Sequence, residues 1–317
     1  MSKGLKITLI VILVLIAVIF IVLAVMTRGI ALDIVRHPLA ERPEMEETPA
    51  DYGMDFEVVS TTTEDGLALY GWFIPGDNGA TIMIQHGSPG GRQDGLYEAQ
   101  LLNQAGYSVL LGSFRAHDEC DGELISFGHY EQRDLRAWHI YLINRDDLDH
   151  TRIGLFGESM GGGTSILYAA GDRGVAAVAT GSAFALTQQV VEKFIEFETD
   201  IPPALIPLLA KFIVFWAEGA ADFKAEALDT ESVIADISPV PILIIHGGMD
   251  DKIGPEVGRQ LFAAAAEPKE LVWIEEAGHV NFEDFQPELY KSNLRFQRRS
   301  ARPFLIANFT RSTVESS

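Results

Sequence analysis

The chain has 317 residues, 45 acidic against 24 basic side chains, and a formal net charge of −21. Such a surface repels a phosphate backbone, which sets the chain against nucleic acid as a partner. Cys120 is the sole cysteine, so an intramolecular disulfide is excluded.

Residues 1–6 form a short tail with Lys3 and Lys6, and residues 7–26 follow as an apolar run whose only polar member is Thr8. At about 1.5 Å per residue, a helix of that length matches the roughly 30 Å of a bilayer core. A helix buried in a soluble core would carry a polar face, and this run has none. A cleaved signal peptide is the competing reading. Its apolar region is usually shorter and ends in small residues, whereas here Ala24, Val25, Met26, Thr27 and Arg28 make a poor cleavage site and Gly29, Ile30 and Ala31 a weak one. The expectation is a retained single-pass anchor. Lys3 and Lys6 precede it, and Arg28, Arg36 and Arg42 follow. From that near balance the expected orientation has the tail inside and the large domain outside.

Residues 27–54, charged and proline-containing, read as a stalk. One large domain is expected over 55–300, with a tail at 301–317. Its strands are expected at 56–60, 67–73, 81–85, 108–112, 152–156, 175–180, 241–245 and 271–274. Helices are expected near 94–105, 130–143, 160–170, 255–266 and 284–297. Near-continuous apolar strands alternating with helices predict an α/β domain, a mostly parallel twisted sheet covered on both faces. Ligands of such sheets bind beyond the carboxyl ends of the strands.

Residues 184–232 break the alternation. They are apolar and helix-like, with Phe184, Phe194, Phe197, Phe212, Phe215 and Trp216. A second membrane span is opposed by Pro202, Pro203, Pro207 and Lys211. The segment is expected to be a helical cap over the active site.

The strand at 152–156 runs into Gly157, Glu158, Ser159, Met160 and Gly161, then a helix-like stretch. This G-x-S-x-G between strand and helix has the context of a nucleophile elbow, which makes Ser159 the candidate nucleophile. A serine hydroxyl needs a base at neutral pH. His279, the last of eight histidines, follows the final strand in Gly278-His279. The acid belongs between the two in chain order. Asp250, after the strand at 241–245, is preferred over its neighbour Asp251. An oxyanion hole needs two backbone N–H donors. Met160, directly after the nucleophile, supplies one; Ser88, in His86-Gly87-Ser88-Pro89-Gly90-Gly91, is the candidate for the other. His86, His246, Asp250 and His279 could also cluster around a metal, but no zinc-protease spacing is present, and neither metal nor cofactor is expected.

Four blocks in this order resemble the α/β-hydrolase superfamily, specifically its small esterase and peptidase-like branch with N-terminal membrane anchors: His86 to Gly91, Gly157 to Gly162, His246 to Asp250, and Gly278-His279. The resemblance covers about residues 55–298. It departs from the family at Arg115-Ala116-His117-Asp118-Glu119-Cys120, where R-G-H-G-x-S is common. The resemblance implies a serine hydrolase acting through an acyl-enzyme on a small-molecule ester or acyl substrate. The leading expectation is a carboxylic ester. A peptide or acyl-protein thioester, and a non-catalytic binding module of the same fold, are the alternatives.

Overall fold

The computed structural model describes residues 3–290, apart from 172, 173, 186 and 289. The expected tail at 301–317, and the part of the last expected helix beyond 290, lie outside the described residues. All eight expected strands are present: β1 (Glu57–Thr62), β2 (Ala68–Ile74), β3 (Thr81–Gln85), β4 (Ser108–Gly112), β5 (Ile153–Glu158), β6 (Ala177–Gly181), β7 (Ile242–Gly247) and β8 (Lys269–Ile274). The helices are α1 (Lys3–Val35), α2 (Leu96–Gln104), α3 (Glu131–Ile143), α4 (Met160–Gly171), α5 (Thr187–Glu198), α6 (Ile206–Ala221), α7 (Thr230–Val233), α8 (Pro255–Ala264) and α9 (Phe282–Phe285).

The strands form one sheet in the order β1-β2-β4-β3-β5-β6-β7-β8. β1 and β2 are antiparallel to their neighbours, and the remaining strands are parallel. This is the mostly parallel sheet that the apolar strands predict, in the α/β-hydrolase arrangement that the motif resemblance implies. The reason lies in the strand composition. Every residue of β3, β4, β6 and β7 is buried, which requires helices on both faces. Side chains alternate between two cores: Ile82 and Ile84 pack with Leu96, Ala99 and Leu102 of α2, whereas Met83 packs with Leu135 of α3 and Ile166 of α4.

The segment expected as a stalk is instead built into the domain. α1 continues nine residues beyond Met26, to Val35. Ile30, Ala31, Ile34 and Val35 recur on one face, and Ala31 and Val35 are wholly buried in the domain core. Arg36 then bridges to Leu124, and the His37 amide donates to the Glu123 carbonyl. The Arg42 guanidinium donates to the carbonyls of Asp118, Cys120 and Gly122. Charge and prolines suggested a solvated linker. The arginine is held instead by backbone acceptors far along the chain, which no local pattern reports. The cap is also not purely a lid, since its longest helix, α6, packs along α1.

Candidate active site

Ser159 lies at the turn from β5 into α4 with φ 52°, a left-handed conformation unusual for a residue with a side chain. Its amide donates to the Gly181 carbonyl of β6, and its carbonyl accepts from the Gly163 amide, which pins the turn on both sides. The flanking glycines are required by space. A Cβ on Gly157 would stand 2.3 Å from the Gly161 carbonyl oxygen, and one on Gly161 would stand 2.2 Å from that of Gln85. Holding a serine in this strained turn exposes its hydroxyl at the carboxyl edge of the sheet.

His279 and Asp250 come from the loops after β8 and β7. His279 Nδ1 lies 3.0 Å from Asp250 Oδ2 and 3.2 Å from Oδ1. Asp250 is fully buried and also accepts from the amides of Lys252 and Ile253 through Oδ1. Burial works to raise its pKa. The hydrogen bond and charge of His279, together with the Ile253 amide, outweigh that and hold the carboxyl at about 2. The side chain is therefore anionic at neutral pH and fixes the imidazole ring. Asp251 is exposed.

The loop after β3 runs alongside the serine. A Cβ on Gly87 would be 3.3 Å from Ser159 Cβ, so the glycine permits this approach. Ser88 follows it, with Oγ 3.4 Å from His117 Nε2. Met160 is buried and opens α4. The other histidines considered for a metal have packing roles. His86 accepts the Phe114 amide at Nε2 and meets the His117 ring at a tilt of 58°. His246 is buried against Trp273, with Nε2 on the Gly254 carbonyl. Among the described residues, no group of three potential ligands converges.

Of the aromatic cap residues, Phe184 and Phe194 line an apolar cavity of about 170 Å³ with Ile34, Val190, Ile213 and Phe223. Phe184 also covers Gly163, one turn along α4 from Ser159. Phe212 instead meets Phe20 of α1, and Phe197 and Phe215 are exposed.

Several buried polar groups around the site carry no motif and escape sequence reading. Arg115 pairs with buried Asp134 at 2.7 Å, which explains the arginine of the divergent block. Arg92 holds Asp118 and Glu119 and lies over the Trp72 ring. His117, kept well below its usual pKa by burial and the adjacent His86, stays neutral between His37 and His86.

Glu158, beside Ser159, belongs to a buried acid cluster. The Tyr290 hydroxyl lies 2.9 Å from Glu98 Oε1 and 3.3 Å from Glu158 Oε1. One phenolic proton cannot serve both carboxylates at once, so a protonated carboxyl completes the set. Burial first, then mutual repulsion with Glu98 and Glu283, raises Glu158 well above the usual carboxylate range; burial pushes Glu98 up to about 7. Here the folded state binds more protons than the unfolded state. Stability is therefore fully present below the unfolded value near 4.5 and declines as pH rises towards 7 and beyond. Glu98→Gln should flatten that decline. Thermal melts between pH 4.5 and 8 check this, and an unchanged slope would remove Glu98 as its source.

A model of the prolyl oligopeptidase family matches residues 96–302. The chain is 32% identical over 231 residues to the uncharacterized protein Rv2307c of Mycobacterium tuberculosis, covering 70% of this chain and 71% of that protein. It is 28% identical over 255 residues to the uncharacterized protein YfhR of Escherichia coli, covering 77% and 81%. It is also similar in structure to the esterase Pf2001 of Pyrococcus furiosus, with a TM-score of 0.67 and 24% identity over 82% of this chain and 95% of that one.

Proposed function

Given that this chain belongs to the prolyl oligopeptidase family, enzymes of the α/β-hydrolase fold, we propose that it cleaves a carboxylic ester through Ser159, His279 and Asp250. The observations that carry the reading are the His279–Asp250 pair at 3.0 Å in the loops after β8 and β7, and a serine held at φ 52° in the turn after β5. Asp250 binds Nδ1–H, which leaves Nε2 as the basic nitrogen. His279 takes the Ser159 proton as Oγ attacks the carbonyl carbon. The amides of Met160 and Ser88 hold the oxyanion, and the imidazolium returns its proton to the departing alcohol. Water, activated by the same imidazole, then releases the acid and restores Ser159.

The wholly apolar cavity supports an acyl or other hydrophobic group over a charged peptide. A peptidase reading is favoured by the family's own description. Fluorophosphonate labelling of Ser159 separates both from a non-catalytic module, and a panel of acyl esters, thioesters and prolyl peptides separates the two. Faster turnover of the peptides would overturn the ester assignment.

Burying one methylene contributes roughly 0.8 kcal/mol, equivalent to at most about a fourfold gain in kcat/KM. Along a homologous ester series, kcat/KM should rise until the cavity is full and then level or fall. If acetate esters are fastest and every longer chain slower, the cavity does not receive the acyl group.

The same reading takes α1 as a retained membrane span. Its apolar run is exposed along residues 7–22, while Thr27, Ala31 and Val35 are buried in the domain. Cleavage near residue 31 would cut through this packed face.

A further inference from the structure

The cap and the proposed membrane span form one packed unit. The rings of Phe212 in α6 and Phe20 in α1 meet edge-on with centroids 5.7 Å apart. Phe20 precedes Met26, the end of the apolar run, by six residues, or about 9 Å of helix. A span that places residues 7–26 in the bilayer core thus places Phe212 at hydrocarbon depth. Further along α6, Ile213 and Ala217 share the apolar cavity with Ile34, at the domain end of α1. α6 therefore rises towards the domain, and its N-terminal half lies level with Phe20 or deeper.

The surface there is unsuited to water. Leu205, Leu208 and Phe215 are 50–60% exposed, as is Phe197 of α5 at 60%. Residues 201–209, the end of the α5–α6 connection and the first turn of α6, contain no charged side chain, and exposed Asp200 lies just before them. Large apolar side chains left exposed in one short stretch mark a contact surface. Lys211 is exposed beside it, with a stem long enough to carry its ammonium towards the headgroups.

We infer that the α5–α6 edge of the cap is embedded in the bilayer leaflet beside α1, with lipid hydrocarbon as its occupant. Continuity with α1 selects lipid over a second protein, because the patch extends the lipid-facing surface of the span itself. The inference rests on the membrane-spanning reading of α1. It also places the apolar cavity, walled by α1, α5 and α6, next to the leaflet from which a hydrophobic ester would arrive.

The test uses the full chain in phosphatidylcholine vesicles. Single cysteines are introduced by Leu208→Cys and Phe215→Cys on the cap, Val14→Cys in α1, and Asp146→Cys at the opposite end of the sheet. Each is labelled with an environment-sensitive fluorophore. Burial pushes the Cys120 thiol up to about 12, so it remains unlabelled. These sites are exposed, and substitutions at such positions are well tolerated. Labels at 208 and 215 should be quenched by spin-labelled lipid several-fold more strongly than by aqueous iodide, as at 14, with the reverse at 146. If 14 reports lipid while 208 and 215 behave like 146, the cap stands clear of the bilayer and the inference is overturned. A water-exposed label at 14 would overturn the spanning reading, and this inference with it.

Discussion

Ser159→Ala lowers kcat by roughly 10⁴-fold or more, His279→Ala does the same, and the double variant is little worse than either. In the proposed mechanism the two groups act on one proton, so removing either removes the shared step. Alanine at 159 meets the same backbone constraint as serine at φ 52°, and the amide pairing to Gly181 does not involve the side chain. The fold should therefore survive, and circular dichroism with a thermal melt can verify that alongside turnover. Near-wild-type hydrolysis by Ser159→Ala would end the nucleophile assignment. An additive loss in the double variant would show instead that the two residues act in separate steps.

Asp250→Asn costs up to about 10⁴-fold in kcat, far more than Asp251→Asn. The amides of Lys252 and Ile253 both donate to Oδ1 of Asp250. In an asparagine they keep the carbonyl oxygen at that position and turn the NH₂ towards His279. Two donors then face each other unless the imidazole moves its proton to Nε2, which is the nitrogen that must accept from serine. Asp251 is exposed and carries no such constraint. Steady-state kinetics on both variants give the ranking directly. A greater loss from Asp251→Asn would transfer the orienting role to that residue.

The mostly parallel α/β architecture was legible because its strands are short apolar runs and its turns carry local signals; its α/β-hydrolase form was implied by the motif resemblance. The β3 stretch Thr-Ile-Met-Ile-Gln and the β7 stretch beginning Ile-Leu-Ile-Ile announce strands buried on both faces. The glycines around Ser159 announce a turn that excludes a Cβ. The candidate site residues were nameable for the same reason: Ser159 directly follows β5, and Asp250 and His279 lie in the loops after β7 and β8, so a one-dimensional pattern locates them at one edge of a three-dimensional sheet.

Other features depend on contacts between segments far apart in the chain. Tyr290 reaches Glu98 across 192 residues, and Arg42 finds its carbonyl partners 76 to 80 residues away. Composition therefore described residues 27–54 as a polar stalk, while tertiary packing ties them to the domain. The same limit applies to the cap. Its aromatic residues declare that they avoid water, but not what they avoid it against. Only the fold divides them among the cavity, α1 and the exposed edge, because hydrophobic burial is non-directional and the partner is chosen by how the chain comes together.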